Sequence, residues 1–287
     1  DLRRALDLCS IALDSGADAV KFQTWKTEKI VLKSAEQAKY QKLNSGIEQS
    51  QFEMLKELEL SESDFEKIKN YCDKINIEFL STPDEIESLY FLRYKLGLKT
   101  IKIGSGEIGN EVFLNEVTKV ADKVILSTGM HEIIDIANSV NVIKNDPSTE
   151  LVLLQCTSSY PCPSEFVHLR TMETLRKAFN CEVGFSDHTI GSTASIVAAA
   201  LGAKVIEKHF TQSKNLKGPD HLCSLEPSEL KDMISAVRSV PSLMGSDYKT
   251  LQECEKNTKK VASKVIVAAH EIQIGEVFDK TNLKLIR

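Results

Sequence analysis

The sequence lacks what several large functional classes require. It has no excess of positive charge. Thirty-six Lys and Arg stand against 41 Asp and Glu, a formal net charge of −5, so no basic face is forced and a nucleic-acid partner has no electrostatic footing. It has no long apolar run. The stretch 196–206 is broken by Gly202 and Lys204 and falls short of the roughly 18 residues of a membrane span. No secretory leader is visible, and the chain starts on Asp1, inside a helical pattern, rather than on Met. Its seven cysteines are odd in number and contain no CxxC pair, which reads as free thiols in a reducing cytoplasm rather than a disulfide framework. What remains is ordinary globular composition, 42% hydrophobic and 27% charged over 287 residues, enough for one large domain or two smaller ones.

A repeated unit organises most of that length. Short β-rich runs lie at 18–23 (DAVKFQ), 78–81, 100–105 (TIKIGS), 124–129 (VILSTG), 151–158 (LVLLQCTS), 183–188 (VGFSDH) and 205–210 (VIEKHF). From the third onward they start 24, 27, 32 and 22 residues apart. Apolar residues at helical spacing separate them. Leu2, Leu6, Leu8, Ile11 and Leu13 precede the first run. Phe65, Ile68, Tyr71, Cys72 and Ile75 precede the second, after a Ser61-x-x-Asp64 start signal. Leu230, Met233, Ile234 and Val237 follow the last, with Pro227 at a first helical position. Seven such units predict parallel strands with crossover helices, in an open doubly wound sheet or a closed (β/α)8 barrel. An eight-stranded barrel takes about 250 residues. The repeat stops near Gly245 with seven strands, so the reading is α/β: a TIM barrel over 1–245 that lacks its first strand. A polar linker follows at 246–262. The residues 263–287 carry two further strand-like runs, 263–269 and 282–286, the start of a small β-rich domain or a tail packed on the barrel.

Active sites of such folds gather at the C-terminal ends of the strands. Here those ends read Lys21-Phe-Gln23, Ser81-Thr82, Lys102-Ile-Gly-Ser105, Ser127-Thr-Gly129, Thr157-Ser158, Ser186-Asp-His188 and Glu207-Lys-His209. Strand alternation puts Lys21 with Gln23, Ser186 with His188, and Glu207 with His209 on shared faces. His188 and His209 then end adjacent strands, and two imidazoles with water and substrate oxygens suit an open Mn²⁺, Mg²⁺ or Zn²⁺ site. Lysines inside strands need an anion. Lys21 and Lys102, near Thr82, Ser105, Ser127 and Ser186, indicate a phosphate or carboxylate site, or else an internal salt bridge with Glu107 or Glu207. Asp187, on the opposite face, suits a structural hydrogen bond. The loop Gly218-Pro-Asp-His221 brings Asp220 and His221 to the mouth, as polyol ligands or as a turn. Tyr160-Pro161 walls the pocket or simply packs.

The ordered motifs KFQ, KIGSGE, ILSTGM, CTSSYP, GFSDHT, GAKVIEKHFT and GPDHLCSLEP resemble the N-acetylneuraminate (sialic acid) synthase family, including its legionaminic acid synthases, along the whole chain. The tail from Ser263 is similar to the start of that family's C-terminal antifreeze-like (SAF) domain. The resemblance also implies a first strand ahead of Asp1, with a Glu and an Asn-His pair, and the rest of the SAF domain after Arg287. Ser158 stands where some members carry Asn.

The activity so implied is condensation of phosphoenolpyruvate with an N-acetylmannosamine-like sugar, giving a nine-carbon 2-keto acid (N-acetylneuraminate or legionaminate) and phosphate. In that reading His188 and His209 hold Mn²⁺ or Mg²⁺ and, with Glu207, carry catalysis, a Glu of the absent first strand being a rival for Glu207's role. Lys21, Thr82, Lys102, Ser105, Ser127, Ser158 and Ser186 bind phosphoenolpyruvate. Gln23, Tyr160, Asp220 and Arg287 contact the sugar, Arg287 by reaching into the partner's barrel of a domain-swapped homodimer. The alternatives are a pseudaminic acid or spore-coat polysaccharide synthase of the same family, a Schiff-base keto-sugar aldolase using Lys21 or Lys102, and a non-catalytic carbohydrate-binding protein.

Overall fold

The computed structural model describes residues 1–38, 40–42, 46 and 49–287, which form two compact units, Asp1–Leu243 and Met244–Arg287. All seven expected strands are present in the first: β1 (Ala19–Thr24), β2 (Glu78–Pro83), β3 (Thr100–Ile103), β4 (Lys123–Ser127), β5 (Glu150–Cys156), β6 (Glu182–Asp187) and β7 (Ile206–Lys208). Four run shorter than the hydrophobic pattern suggests, β3 and β7 most of all. After Ile103 the chain tightens into a 3-10 turn over Ser105–Glu107, and β7 ends before His209.

Every pairing among these strands is parallel. β1 pairs with β2, and β3 to β7 pair in sequence order. β2 lies beside β3 without ladder bonds between them. The strands curl, because Lys21 of β1 and Lys102 of β3 both face Glu207 of β7. β1 and β7 do not pair, and a cavity of about 630 Å³ runs out between them, lined by Lys21, Phe22 and Gln23 on one side and Val205, Ile206 and Glu207 on the other. The array is thus an incomplete parallel barrel.

Alternation divides each strand between two environments. Ile101, Ile103, Val124, Leu126, Leu151, Leu153, Val183 and Phe185 point outward into the main core beneath the helices. Ile125, Val152 and Leu154 point inward and, with Val205 against them, plug the interior. The inner face turns polar one layer higher, where the site begins. Gly184 belongs to the plug. A Cβ there would lie 2.3 Å from the Val205 carbonyl oxygen and 2.6 Å from Leu154 Cδ2, so β6 can approach β7 only without a side chain.

The helices follow their start signals. Ser61 caps the helix Glu62–Ile75 by accepting from the Asp64 amide at 3.1 Å. Phe65, Ile68 and Cys72 form its buried stripe, and the last helix of the unit begins on Pro227. The first helix, Leu2–Asp14, departs from expectation. Its buried residues are Ala5, Cys9 and Ala12, while Leu13 is exposed. Small residues let it sit close on the helix Glu62–Ile75, with Cys9 Sγ 3.5 Å from Cys72 Sγ. Leu8 instead lines the cavity between β1 and β7.

In the second unit a 3-10 turn (Glu253–Glu255) and a helix (Lys256–Ala262) precede β8 (Val265–Ala268), which pairs antiparallel with β9 (Leu283–Ile286). All seven cysteines are free thiols. Among the described residues, no helix is long and apolar enough to cross a membrane.

Candidate active site

Glu207 is the centre of the polar layer. Its Oε2 lies 3.8 Å from Lys21 Nζ and 3.8 Å from Lys102 Nζ, and its Oε1 accepts from Ser186 Oγ at 2.8 Å. Of the two ion-pair partners the sequence allows, the lysines face Glu207 and not Glu107. Lys102 is almost fully buried and donates to Ser127 Oγ and to the Ile103 carbonyl, both at 2.8 Å. Burial alone would push the Glu207 carboxyl up. The ammoniums of Lys102 and Lys21, the Ser186 hydroxyl and His209 outweigh it and hold the group down to about 2. Burial lowers the pKa of Lys102, and Glu207 opposes that shift.

Hydroxyls surround this cluster. Thr82, Ser105, Ser127 and Ser186 are buried. Ser105 Oγ accepts from the Gly129 amide at 2.9 Å. A Cβ on Gly129 would fall 2.4 Å from Ser158 Oγ and 3.1 Å from Ser105 Oγ, so glycine opens a recess between two hydroxyls. All seven residues expected to bind phosphoenolpyruvate stand on the strands or within two residues of their C-terminal ends.

Above the lysines sit the two imidazoles, ring centroids 5.4 Å apart. His188 Nδ1 lies 2.8 Å from the Thr157 carbonyl, so Nδ1 carries the proton and Nε2 keeps its lone pair. Burial lowers the pKa of His188, partly offset by that carbonyl. His209 is also held low, by burial, by His188 and by Lys21. Both rings are therefore neutral at pH 7. Asp220 Oδ2 is 3.8 Å from His209 Nδ1, while its Oδ1 is buried without a hydrogen-bond partner among the described residues. Among the described residues no cluster of three or more His, Cys, Asp or Glu is arranged to hold a metal. The donor set that fits one is this neutral pair, with the rest of the coordination left to water or substrate.

Tyr160 packs on both rings, 4.1 Å from His188 and 5.8 Å from His209 between centroids. Gln23 is exposed beside Lys21 on the cavity wall. His221 turns to Thr211 Oγ1 at 2.8 Å within its own loop. Asp187 is structural, as its outward face predicts. It accepts from the Thr189 amide, the Thr189 hydroxyl and Ser195 Oγ, and pairs with buried Lys208 at 3.2 Å. Arg287 follows β9 in the second unit and is exposed.

Three site residues escape the sequence reading. Asp84 lies two residues beyond Thr82 on the same alternation, and its carboxyl is pushed up to about 7 by burial and by Glu107, against Lys21 and Lys102. Cys156 precedes Ser158 by the same step, with Sγ 3.8 Å from Ser105 Oγ. Strand alternation carried one step further would have found both. Tyr40, from the long connection after β1, stacks on Tyr160 and carries no periodic signal.

Residues 8–249 match the NeuB family. The chain belongs to the NeuB family. It is 43% identical over 285 residues to the N,N'-diacetyllegionaminic acid synthase of Campylobacter jejuni, covering 99% of this chain and 85% of that protein. It is 40% identical over 291 residues to the N,N'-diacetyllegionaminic acid synthase of Legionella pneumophila, covering 100% and 82%. Its fold resembles the crystal structure of N-acetylneuraminic acid (sialic acid) synthetase from Leptospira borgpetersenii in complex with citrate, with a TM-score of 0.78 and 29% identity over 91% of this chain and 86% of that one. Relatives named as synthases make this chain an enzyme of the NeuB type.

Proposed function

We propose that this chain joins phosphoenolpyruvate to an N-acylated amino sugar of the N-acetylmannosamine type, releasing phosphate and a nine-carbon 2-keto acid. The observation that carries this reading is the convergence of Lys21 and Lys102 on one carboxylate, each at 3.8 Å, inside a ring of buried hydroxyls and beneath two neutral imidazoles. A buried ammonium, Lys102, and a half-buried one, Lys21, both spaced outside hydrogen-bond contact with the carboxylate they share, suit an incoming dianion. The relatives' names favour a legionaminic-type acceptor over a pseudaminic one.

The chemistry follows from the placement. The methylene carbon of phosphoenolpyruvate forms the new C–C bond to the acceptor's aldehyde carbon, whose oxygen takes a proton. Positive charge then develops at C2, water adds there, and the C2–O bond to phosphate breaks. Lys21, Lys102 and the serines Ser105, Ser127, Ser158 and Ser186, with Thr82, hold the phosphate and carboxylate. Glu207, ionised at neutral pH, orients the water and accepts its proton. Gln23, Tyr160 and Asp220 face the sugar. His188 and His209 hold a divalent ion, Mn²⁺ or Mg²⁺, which supplies Lewis-acid polarisation of the aldehyde oxygen. The reading extends to an eighth strand in the cavity between β1 and β7, a SAF domain begun by β8 and β9, and a cytoplasmic, domain-swapped homodimer in which Arg287 serves the partner's site.

The test is phosphate release, with the product's mass, from phosphoenolpyruvate and a panel of amino-sugar acceptors in Mn²⁺ or Mg²⁺. No phosphate with any acceptor overturns the function. For the metal, His188→Ala and His209→Ala should abolish Mn²⁺ binding in calorimetric titration as well as turnover, and unchanged binding overturns the ligand assignment. The lowered pKa of Lys102 favours one rival, a Schiff-base aldolase. A borohydride-trapped pyruvyl adduct on Lys102 would establish it.

A further inference from the structure

After β1 the chain makes an excursion that is closed at its base. Glu36 and Ser50 form an isolated antiparallel bridge, and the Gln51 amide donates to the Ala35 carbonyl at 2.9 Å. A connection tied at these points can hold Tyr40 in place without a strand beneath it. Tyr40 stands on this excursion, half-buried, and its ring stacks on Tyr160 with centroids 5.1 Å apart and planes 26° from parallel. Because Tyr160 in turn packs on both imidazoles, the two tyrosines form a continuous aromatic wall from the loop to the reacting centre. The same corner holds the buried, unpartnered Oδ1 of Asp220. Burial and that carboxylate push the Tyr40 phenol up to about 12, so it stays neutral.

An aromatic face beside an unsatisfied acceptor matches one substituent of an acylated amino sugar. The acylamino group carries an N–H donor for the carboxylate and, a few bonds away, an apolar end for the rings. A hydroxyl would satisfy Asp220 but offer nothing to the tyrosines. We propose that Tyr40 is a specificity-determining residue for the acceptor, its ring forming with Tyr160 the wall against which the N-acyl group packs. This rests on the acceptor class proposed above.

The experiment measures initial rates of phosphate release by the full chain, with phosphoenolpyruvate and acceptors bearing N-formyl, N-acetyl, N-propanoyl or N-butanoyl groups. Tyr40→Ala should raise the KM for the N-acetyl acceptor about three- to tenfold, leave the KM for phosphoenolpyruvate within about twofold, and flatten the preference among acyl lengths. Tyr40→Phe, which keeps the aromatic face, should retain the preference among acyl lengths that Tyr40→Ala loses. If Tyr40→Ala loses its thermal transition, Tyr40→Leu keeps the bulk without the ring and gives the same KM split. An unchanged acceptor KM, or equal rises for both substrates, overturns the role of Tyr40 and leaves the function standing. A wild type that releases no phosphate with any acceptor overturns the function and this role together.

Discussion

Strand β7 carries two lysine–carboxylate arrangements on its opposite faces, and they are built differently. On the outer face Lys208 meets Asp187 with side chains 2% and 0% exposed. Asp187 accepts from Thr189 and Ser195, and Lys208 also donates to the Thr189 carbonyl, so the polar groups are well supplied with partners. On the inner face Glu207 is shared by Lys21 and Lys102 at 3.8 Å, beyond hydrogen-bond distance for both. The outer pair is a closed arrangement, and such pairs hold a fold in register without necessarily adding stability over an apolar pair. The inner cluster keeps unspent donor capacity on Lys21, beside the cavity between β1 and β7. That spare capacity, rather than burial or charge alone, separates the proposed binding site from the structural ion pair.

The sharpest way to break the contrast is to neutralise each carboxylate. Glu207→Gln should lower the turnover number about 10²- to 10⁴-fold, the range for a lost general base, and steady-state phosphate release measures it. Lys102 keeps its bonds to Ser127 and Ile103 in that variant, so the urea midpoint should fall less than in the outer variant. Asp187→Ala should do the reverse. It strands Lys208 in the core and should destabilise the fold by about 3–5 kcal/mol, read from urea denaturation. If both variants unfold alike, the two arrangements are equivalent and the distinction fails.

Lys102→Met should have a smaller, selective effect. Losing a charge-assisted bond worth about 1.5–3 kcal/mol raises the KM for phosphoenolpyruvate roughly ten- to a hundredfold and that for the sugar much less. Equal weakening would make Lys102 structural. The smallest effect is a pH dependence of stability. Glu207 is held down from its ordinary 4.5 to about 2, so it contributes stability above pH 4.5 that is lost as pH falls toward 2. Asp84 has the opposite sign. Its carboxyl is raised from 3.8 to about 7, so the folded state gives up stability as pH climbs from 4 to 7. Asp84→Asn should therefore raise the thermal midpoint at pH 8 and leave it unchanged near pH 4. A midpoint shift of equal size at both values would refute the assignment.

Much of this was legible before any coordinates. Seven strands announce themselves because buried parallel strands need apolar runs, and the period-2 rule placed Glu207 with His209 and set Asp187 apart. The limits have physical causes. The first helix was read by its leucines, but close helix packing selected Ala5, Cys9 and Ala12. Asp84 and Cys156 obey the alternation yet carry none of the hydroxyls, ammoniums or imidazoles that mark the other strand ends. Tyr40 reaches the site by tertiary stacking from a connection whose position no local pattern encodes.

The placement of Gly184 bears on the tolerance of the whole assembly. β7 is three residues long and bonded on one side only, to β6, so its lateral position depends on how closely β6 can lean against it, and at Gly184 that approach leaves no room for a methyl group. Glu207 travels with the strand, and so do its spacings to both lysines and to Ser186. Misplacement of reacting groups by about 1 Å can cost on the order of a hundredfold in rate. The alignment of the carboxylate with both lysines is therefore set by an atom that is absent, and Gly184→Ala would detune the proposed site through its frame, with every group assigned to the chemistry still in the sequence.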